Sequence, residues 1–205
     1  MKSKAKIQDI LQKYIPENAI DYVISLLNEY PVQFRIVKPR KSKLGDFRYA
    51  RDLPKPQITI NGNLNPYSFL ITTIHEFAHA ATFFELGANH QPHGIHWQNH
   101  YRKLIHPTLE LGVYPKDVEI ALVNSLINVK ASSCSDVSLN RVLSRYDVHN
   151  ENEVMLENLQ KNTMFVLSNR TFTKGELRRT RYLCTEIITN RQFLVHRTAI
   201  VKLLK

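Results

Sequence analysis

Cysteine, long apolar runs and acidic side chains are all scarce in this chain of 205 residues. The two cysteines, Cys134 and Cys184, form no CxxC zinc pair and give little basis for a disulfide bond. No apolar run reaches the roughly 18 residues of a membrane span, and the first residues lead into an amphipathic stretch rather than a signal peptide. These absences predict no membrane partner and a cytoplasmic location, with association with the nucleoid as a variant of it.

The shortage of acidic residues is uneven along the chain. Lys and Arg number 28 against 18 Asp and Glu, which gives a formal net charge of +10. Residues 161–205 carry ten basic and two acidic side chains, whereas residues 108–160 carry four and eight. A basic end of this density indicates a polyanionic partner, most often nucleic acid, and the alternative is a solvated surface that only aids solubility.

Histidine, by contrast, is concentrated in one region, since seven of the nine lie between His75 and His106. The first two belong to His75-Glu76-Phe77-Ala78-His79, which matches the H-E-x-x-H pattern of zinc peptidases. On a helix, residues four apart share one face, so both imidazoles can bind one metal ion while Glu76 acts as general base on a zinc-bound water. The alternative is a core helix whose histidines bond to their neighbours.

The segment around this pattern is typical of a buried helix. Asn65 suits the N-cap, Pro66 suits the first helical position and Gly87 suits the residue after the C-terminus. Between them, apolar residues recur at helical spacing. The H-E-x-x-H pattern therefore falls in the middle of a predicted helix, where its geometry can work.

A catalytic zinc ion normally has three protein ligands, and the third is not fixed by this pattern. A metzincin would place it six residues after His79, where the chain has Glu85, so that class is excluded. The next glutamate is the distant Glu110, which disfavours a gluzincin. The better candidates are histidines beyond the helix, of which His90 is expected to be a bystander. Three remain open as the third ligand, as partners of a ligand or as a second metal site: His93, His96 and His100.

The run His93-Gly94-Ile95-His96-Trp97, following the H-E-x-x-H pattern, resembles the SprT-like metalloprotease family, which includes the Spartan proteases of DNA–protein crosslinks. The segments Leu44-Gly45-x-Phe47-Arg48 and Ile58–Asn61 are similar to strands that precede the active-site helix in that family. The resemblance implies a zinc-dependent endopeptidase that acts on DNA-associated or DNA-crosslinked proteins and serves DNA repair. Its implied residues are zinc ligands His75, His79 and His93, with Glu76 activating the zinc-bound water.

The predicted fold class is α+β. Residues 1–107 are expected to form a zincin-like core, in which a sheet of about three strands packs on helices that include the one with the H-E-x-x-H pattern. Residues 108–160 are expected to be a helical connector. Residues 161–205 are expected to be a basic β appendage that resembles a zinc ribbon without its cysteines, so one catalytic zinc ion and no second, structural one is expected.

Periodicity places the elements within these regions. Helices are predicted at residues 5–14, 17–30, 94–106, 115–126 and 139–146, with Pro107 ending the third of them or beginning the next turn. Strands are predicted at residues 32–37, 47–49, 57–60, 164–167, 181–184, 186–189 and 192–195. An edge strand of the first sheet is expected to hold an extended peptide substrate, although the sequence does not identify which strand this is.

Two clusters of cations are candidate phosphate contacts. They comprise Arg40, Lys41 and Lys43 in a predicted loop, and Lys174, Arg178, Arg179 and Arg181 in the appendage. Phe172 and Tyr182 lie near the second cluster, where they would either stack on bases of single-stranded DNA or belong to the core.

A second function of a different class fits the same residues. The chain could be a non-proteolytic, nucleic-acid-associated factor of transcription-elongation-like type, in which the metal site is structural or regulatory. A proteolysis assay separates the two functions, whereas the metal stoichiometry does not.

Overall fold

A computed structural model of the protein shows two compact units, residues 1–147 and 148–205. The structure describes residues 2–40, 42–50, 53–127, 136–147 and 153–204, and only the backbone of residues 2–5. Lys41 and Cys134 lie outside these residues. Helices and sheets are both present, which confirms the α+β class. Among the described residues, no helix has the length and apolar character needed to span a bilayer.

The first unit combines six helices with a small sheet in its described part. The helices are α1 (Lys2–Leu11), α2 (Ile20–Glu29), α3 (Pro66–Leu86), α4 (Ile95–Glu110), α5 (Lys116–Ile127) and α6 (Val137–Leu143). The strands are β1 (Gln33–Val37), β2 (Gly45–Arg48) and β3 (Gln57–Asn61). Their order is β1-β3-β2, with β1 parallel and β2 antiparallel to β3, so the predicted three-stranded sheet is present and β2 lies at its edge.

Helix α3 is the centre of the first unit because it is apolar around most of its circumference. Phe69, Ile74 and Phe77 are fully buried in the core that the other helices and the sheet share. The side chain of Asn65 accepts hydrogen bonds from the backbone amides at the start of the helix. Gly87 ends it with a φ of 71°, a conformation that glycine adopts readily. Both predicted ends of this helix are therefore confirmed.

Two sequence predictions differ from the first unit as observed. Pro107 does not end its helix, since α4 continues to Glu110 with the proline inside it. The predicted connector of residues 108–160 is divided, because α5 and α6 bury Val118, Leu122 and Leu139 in the same core as α3. The division between the units therefore falls after residue 147, where a contiguous apolar core ends, and not at residues 107 and 160.

The second unit is a six-stranded antiparallel sheet. Its strands are β4 (Glu153–Met155), β5 (Met164–Leu167), β6 (Arg170–Arg178), β7 (Arg181–Glu186), β8 (Gln192–His196) and β9 (Ile200–Leu203), in the order β4-β9-β5-β6-β7-β8. Phe165, Phe172 and Cys184 are among the residues of its small core. The strand predicted at residues 186–189 is wrong, because the chain turns there and the Asn190 amide bonds back to the Glu186 carbonyl. The sequence patterns do not predict β4, β6 and β9.

Candidate metal centre

Three histidines from two neighbouring segments converge in the first unit. His75 and His79 lie one turn apart on α3, and His93 lies in the turn before α4 with a φ of 58°. The Nε2 atom of His93 is 3.0 Å from that of His79 and 3.3 Å from that of His75. These three residues are therefore close enough to bind one metal ion.

The spacing of the three nitrogens fits a tetrahedral zinc ion. Zinc–nitrogen bonds of about 2.0–2.1 Å at tetrahedral angles place ligand nitrogens about 3.3 Å apart. Three imidazoles leave the fourth position of such an ion to water or substrate. The three histidines are one ligand fewer than the four that close a structural zinc site.

The other histidines of the region have different partners. His100 contacts the Glu85 carboxylate at 2.5 Å, and His96 is exposed on the first turns of α4. His90 donates from Nδ1 to the Gly87 carbonyl at 2.9 Å. The structure therefore brings only His93 of the three open candidates to the α3 pair. His90 lines the cleft beside this pair, a position that no sequence pattern indicates.

Burial keeps the three imidazoles neutral, which is the form that binds metal. Desolvation lowers the pKa of His75 well below its usual value, and the neighbouring His79 and His93 lower it further. The pKa of His79 falls to about 3, first through desolvation and then through His93 and His90. Desolvation also lowers the pKa of His93. Protons therefore compete weakly with a metal ion for these nitrogens near neutral pH.

Trp97 forms a rigid wall behind the three imidazoles. Its ring centroid lies 4.7 Å from that of His75, 5.3 Å from His79 and 4.6 Å from His93. Tyr101 stacks on Trp97 at 5.2 Å with nearly parallel rings, and its ring centroid is also 5.8 Å from that of His75. Trp97 is fully buried, so this packing restricts the orientations that the ligand rings can adopt.

Glu76 follows the first ligand and lies against strand β2. The residue is 5% exposed, and its pKa is raised to about 8, chiefly by burial and secondly by the charge of Asp46. The backbone amide of Phe47 acts in the opposite direction as a hydrogen-bond donor to the carboxylate, followed by the charges of Arg40 and Lys43. Glu76 is thus a carboxyl group that can take up and release a proton near neutral pH.

The imidazoles and Glu76 face a cleft of about 510 Å³. The lining also includes residues 42–47, Tyr49, Ala88, His90 and Pro92. The Asn61 amide donates to the Leu44 carbonyl. In an antiparallel pair, residues whose backbone groups bond to the partner strand alternate with residues whose groups point away from it. By that alternation, the backbone groups of Gly45 and Phe47 point away from β3. The free edge of β2 therefore borders the cleft, a position that depends on strand order and not on local sequence.

The cations near the first sheet hold its loop in place. The Arg40 guanidinium donates to Asn61 Oδ1 and to Thr59 Oγ1, both at 2.9 Å. Lys43 pairs with Asp46 at 2.6 Å. Arg40 is thus engaged in fixing the cleft wall, which gives it a role that the phosphate-contact prediction did not include.

The cations of the second unit fall into two groups. Lys174 is only 3% exposed, donates to the Glu157 and Leu159 carbonyls and lies 3.9 Å from the centre of the Tyr182 ring. Its prediction as a phosphate contact is wrong, because its ammonium group is occupied in the core. Phe172 is also buried, so it offers no stacking surface. The exposed cations of the set are Arg178, Arg179 and Arg181, at the turn between β6 and β7.

Comparison with family models, with curated proteins and with solved structures gave no match to this chain.

Proposed function

We propose that the protein is a zinc-dependent endopeptidase of SprT-like type. The observation that carries this proposal is the convergence of three neutral imidazoles beside a buried carboxyl group at the floor of an open cleft. A structural zinc site would be closed by a fourth protein ligand. Among the described residues, no further His, Cys, Asp or Glu side chain joins the three histidines as such a ligand.

The chemistry follows from the groups that line the cleft. A zinc ion held by His75, His79 and His93 would polarise the substrate carbonyl and lower the pKa of water there. Glu76 takes the proton of the attacking water and then delivers it to the leaving amine of the cleaved peptide bond. Its raised pKa suits both steps, because the group must hold a proton briefly and then release it.

The edge of β2 that faces away from β3 supplies a binding site for an extended peptide, through the backbone groups of Gly45 and the Phe47 carbonyl, while the Phe47 amide donates to Glu76. A segment of substrate that adds to this edge would lie along the cleft, above α3 and its ligands. Backbone pairing of this kind is independent of side-chain identity, so it suits an enzyme that cleaves many proteins. Recognition then requires an unfolded or extended segment in the substrate.

Exposed arginines on the second unit support substrates that are bound or crosslinked to DNA. Arg178, Arg179 and Arg181 lie within four residues of one another on one β-turn. Closely spaced guanidinium groups are suited to phosphate oxygens. Neither of the two aromatic residues predicted near them is a free stacking partner, because Phe172 is buried and Tyr182 is covered by Lys174.

The test is the Glu76→Gln variant, assayed on an unfolded protein substrate with and without single-stranded DNA. We expect full zinc content and a loss of cleavage of about 100-fold or more, because the general base is gone while the ligands remain. Glu85→Gln, on the same helix but exposed, is the matched control and should retain activity. A zinc-loaded wild type that cleaves no substrate under either condition would favour the non-proteolytic, nucleic-acid-associated function instead.

A further inference from the structure

The first residue of β2 lies directly against the carboxyl group of Glu76. A Cβ atom placed on Gly45 would be 2.5 Å from Glu76 Oε1 and 2.8 Å from Glu76 Cγ. It would also be 2.7 Å from Thr72 Cγ2, on the preceding turn of α3. All three separations are shorter than carbon atoms tolerate without displacement. Glycine is therefore required here by close approach, since Gly45 does not have a positive φ.

We propose that Gly45 is a positioning residue for the general base. By lacking a side chain it lets the Glu76 carboxylate rest against β2, in the cleft that the three histidines also line. This inference rests on the proposed peptidase function, in which Glu76 transfers the proton. The backbone of Gly45 belongs to the edge proposed to bind the peptide, whereas the absence of its side chain acts only through Glu76.

The backbone at Gly45 cannot retreat to make room for a side chain. Asn61 fixes the segment before it, donating from Nδ2 to the Lys43 carbonyl at 2.9 Å and from its amide to the Leu44 carbonyl at 2.9 Å. Arg40 in turn holds Asn61 and Thr59. The strand wall is therefore tied to β3 on the side opposite Glu76, where a shift would break several buried hydrogen bonds.

The parts of the contact that can move are side chains. The Thr72 methyl group can turn about χ1, because the Thr72 hydroxyl has no hydrogen-bond partner among the described residues. The other is the end of the Glu76 side chain. Its carboxylate is carried by rotatable bonds, whereas α3 and β2 are packed backbone. An alanine at position 45 should thus leave the fold intact and displace the carboxylate from its place beside the ligands. A displacement of about 1 Å in a reacting group can lower a rate by about 100-fold.

The experiment compares Gly45→Ala with Gly62→Ala in the full chain. Gly62 is the matched control because it also lies beside the sheet, and its added Cβ would meet only Ile36 at 3.0 Å and more distant atoms of Val37 and Tyr14. We expect Gly45→Ala to keep its zinc content, to lower kcat about 100-fold and to leave KM unchanged. Gly62→Ala should stay within a few-fold of wild type. Equal effects of the two substitutions, or a loss of zinc in Gly45→Ala, would overturn the proposal.

A second substitution separates positioning from a general loss of structure. Alanine at position 76 has neither Cγ nor Oε1, so it removes both Glu76 contacts that a Cβ at position 45 would meet. Gly45→Ala should therefore cost much less free energy of unfolding in the Glu76→Ala background than in wild type, because only the contact with Thr72 remains. An undiminished cost in that background would show that Gly45 acts elsewhere.

Crystal structures of wild type and Gly45→Ala give a readout that does not depend on catalysis. We expect the Glu76 carboxylate to move while α3 and β2 superpose. An unmoved carboxylate would refute the positioning role even if activity fell. If wild type cleaved nothing, the proposed function would fail. The position of the Glu76 carboxylate in the variant would still show whether Gly45 determines it.

Discussion

The Nε2 atoms of three imidazoles are turned toward one another, His75 buried and His79 and His93 partly buried, and this arrangement is costly without a metal ion. The contacts at 3.0 and 3.3 Å both involve His93 Nε2, which can share at most one proton with its two neighbours. The remaining lone pairs then face each other in a desolvated site. A bound cation satisfies all three at once, so we expect metal removal to lower the stability of the first unit.

Replacing His93 by alanine tests the third ligand. We expect zinc affinity to fall by more than about 100-fold, since even loss of a group outside the ligand set costs 10–100-fold. The measurement is a zinc titration against a competing chelator, with the fluorescence of Trp97 as a second signal because it is the only tryptophan and packs on all three ligands. His96→Ala is the control, since His96 is exposed.

Two results of this titration would contradict the assignment of His93 as the third ligand. If His93→Ala retains tight zinc binding, the ligand set derived from the Nε2 distances is wrong. If His96→Ala loses zinc as well, the effect comes from disruption of α4 and not from removal of a ligand.

The sequence predicts that His75 and His79 lie together and that Glu76 is beside them, because a four-residue spacing on a predicted helix has only one geometry. The third ligand is different. His93 adopts a left-handed backbone conformation in a turn, and helical periodicity carries no information about such a residue. The resemblance in the His93–Trp97 run implies this ligand, and the spacing alone leaves His96 and His100 equally open.

At the scale of elements, α3 is both the core of its unit and the support of the site. Its N-terminus is tied to α6 through Asn65, which is only 6% exposed. The Asn65 side chain caps Tyr67 and Ser68 and donates to the Leu143 carbonyl and the Asp147 carboxylate. One amide group therefore joins helix capping to tertiary packing.

Replacing Asn65 by alanine should lower the free energy of unfolding by about 2–3 kcal/mol. About 1 kcal/mol is the usual value of an N-cap, and the rest reflects buried partners left without hydrogen bonds. Urea unfolding measures the change. Asp136→Ala, which removes the N-cap of the short helix α6, should cost only about 1 kcal/mol. Equal losses in the two variants would contradict the tertiary role of Asn65.

The strands show where sequence patterns fail. Strand β5 is predicted with its observed bounds, because its residues are uniformly apolar. Strand β6 escapes prediction, since it places Lys174 on the buried face and its register shifts between Lys174 and Leu177. A buried cation and an irregular register both break the period-two alternation. The edge position of β2 also escapes sequence reasoning, because pairing order is a tertiary property.

At the scale of the whole molecule, the two units depend on different polar interactions. The second unit carries a nearly buried carboxylate at the end of β7, where Arg170 and then Thr189 donate hydrogen bonds to Glu186. These bonds lower the pKa of Glu186 to about 2. A depressed pKa stabilises the folded state above the unfolded value of about 4.5.

Acidification should therefore destabilise the protein in a defined window. The contribution of Glu186 is complete above about pH 4.5 and is lost as the pH falls toward about 2. Glu186→Gln should flatten the decline of Tm across this window, measured by circular dichroism on the full chain. Glu176→Gln, which removes an exposed carboxylate from the same unit, is the control. An identical decline in wild type and Glu186→Gln would contradict the assignment.

The basic charge of residues 161–205 predicts binding to nucleic acid, and the exposed arginines of the second unit allow a test of this prediction. Removing one phosphate-binding cation reduces the dependence of log K on log salt by about 0.7 for single strands and about 0.9 for duplex DNA. The double variant Arg178→Ala/Arg179→Ala should therefore lower the slope by about 1.4 on single-stranded DNA. Lys174→Met should leave the slope unchanged and lower Tm, because its ammonium group donates to two backbone carbonyls in the core. The measurement is a fluorescence-anisotropy titration at several salt concentrations below the Tm of each variant. An unchanged slope in the double arginine variant would show that this turn does not bind DNA. The proposed peptidase would then reach its substrates without binding a polyanion there.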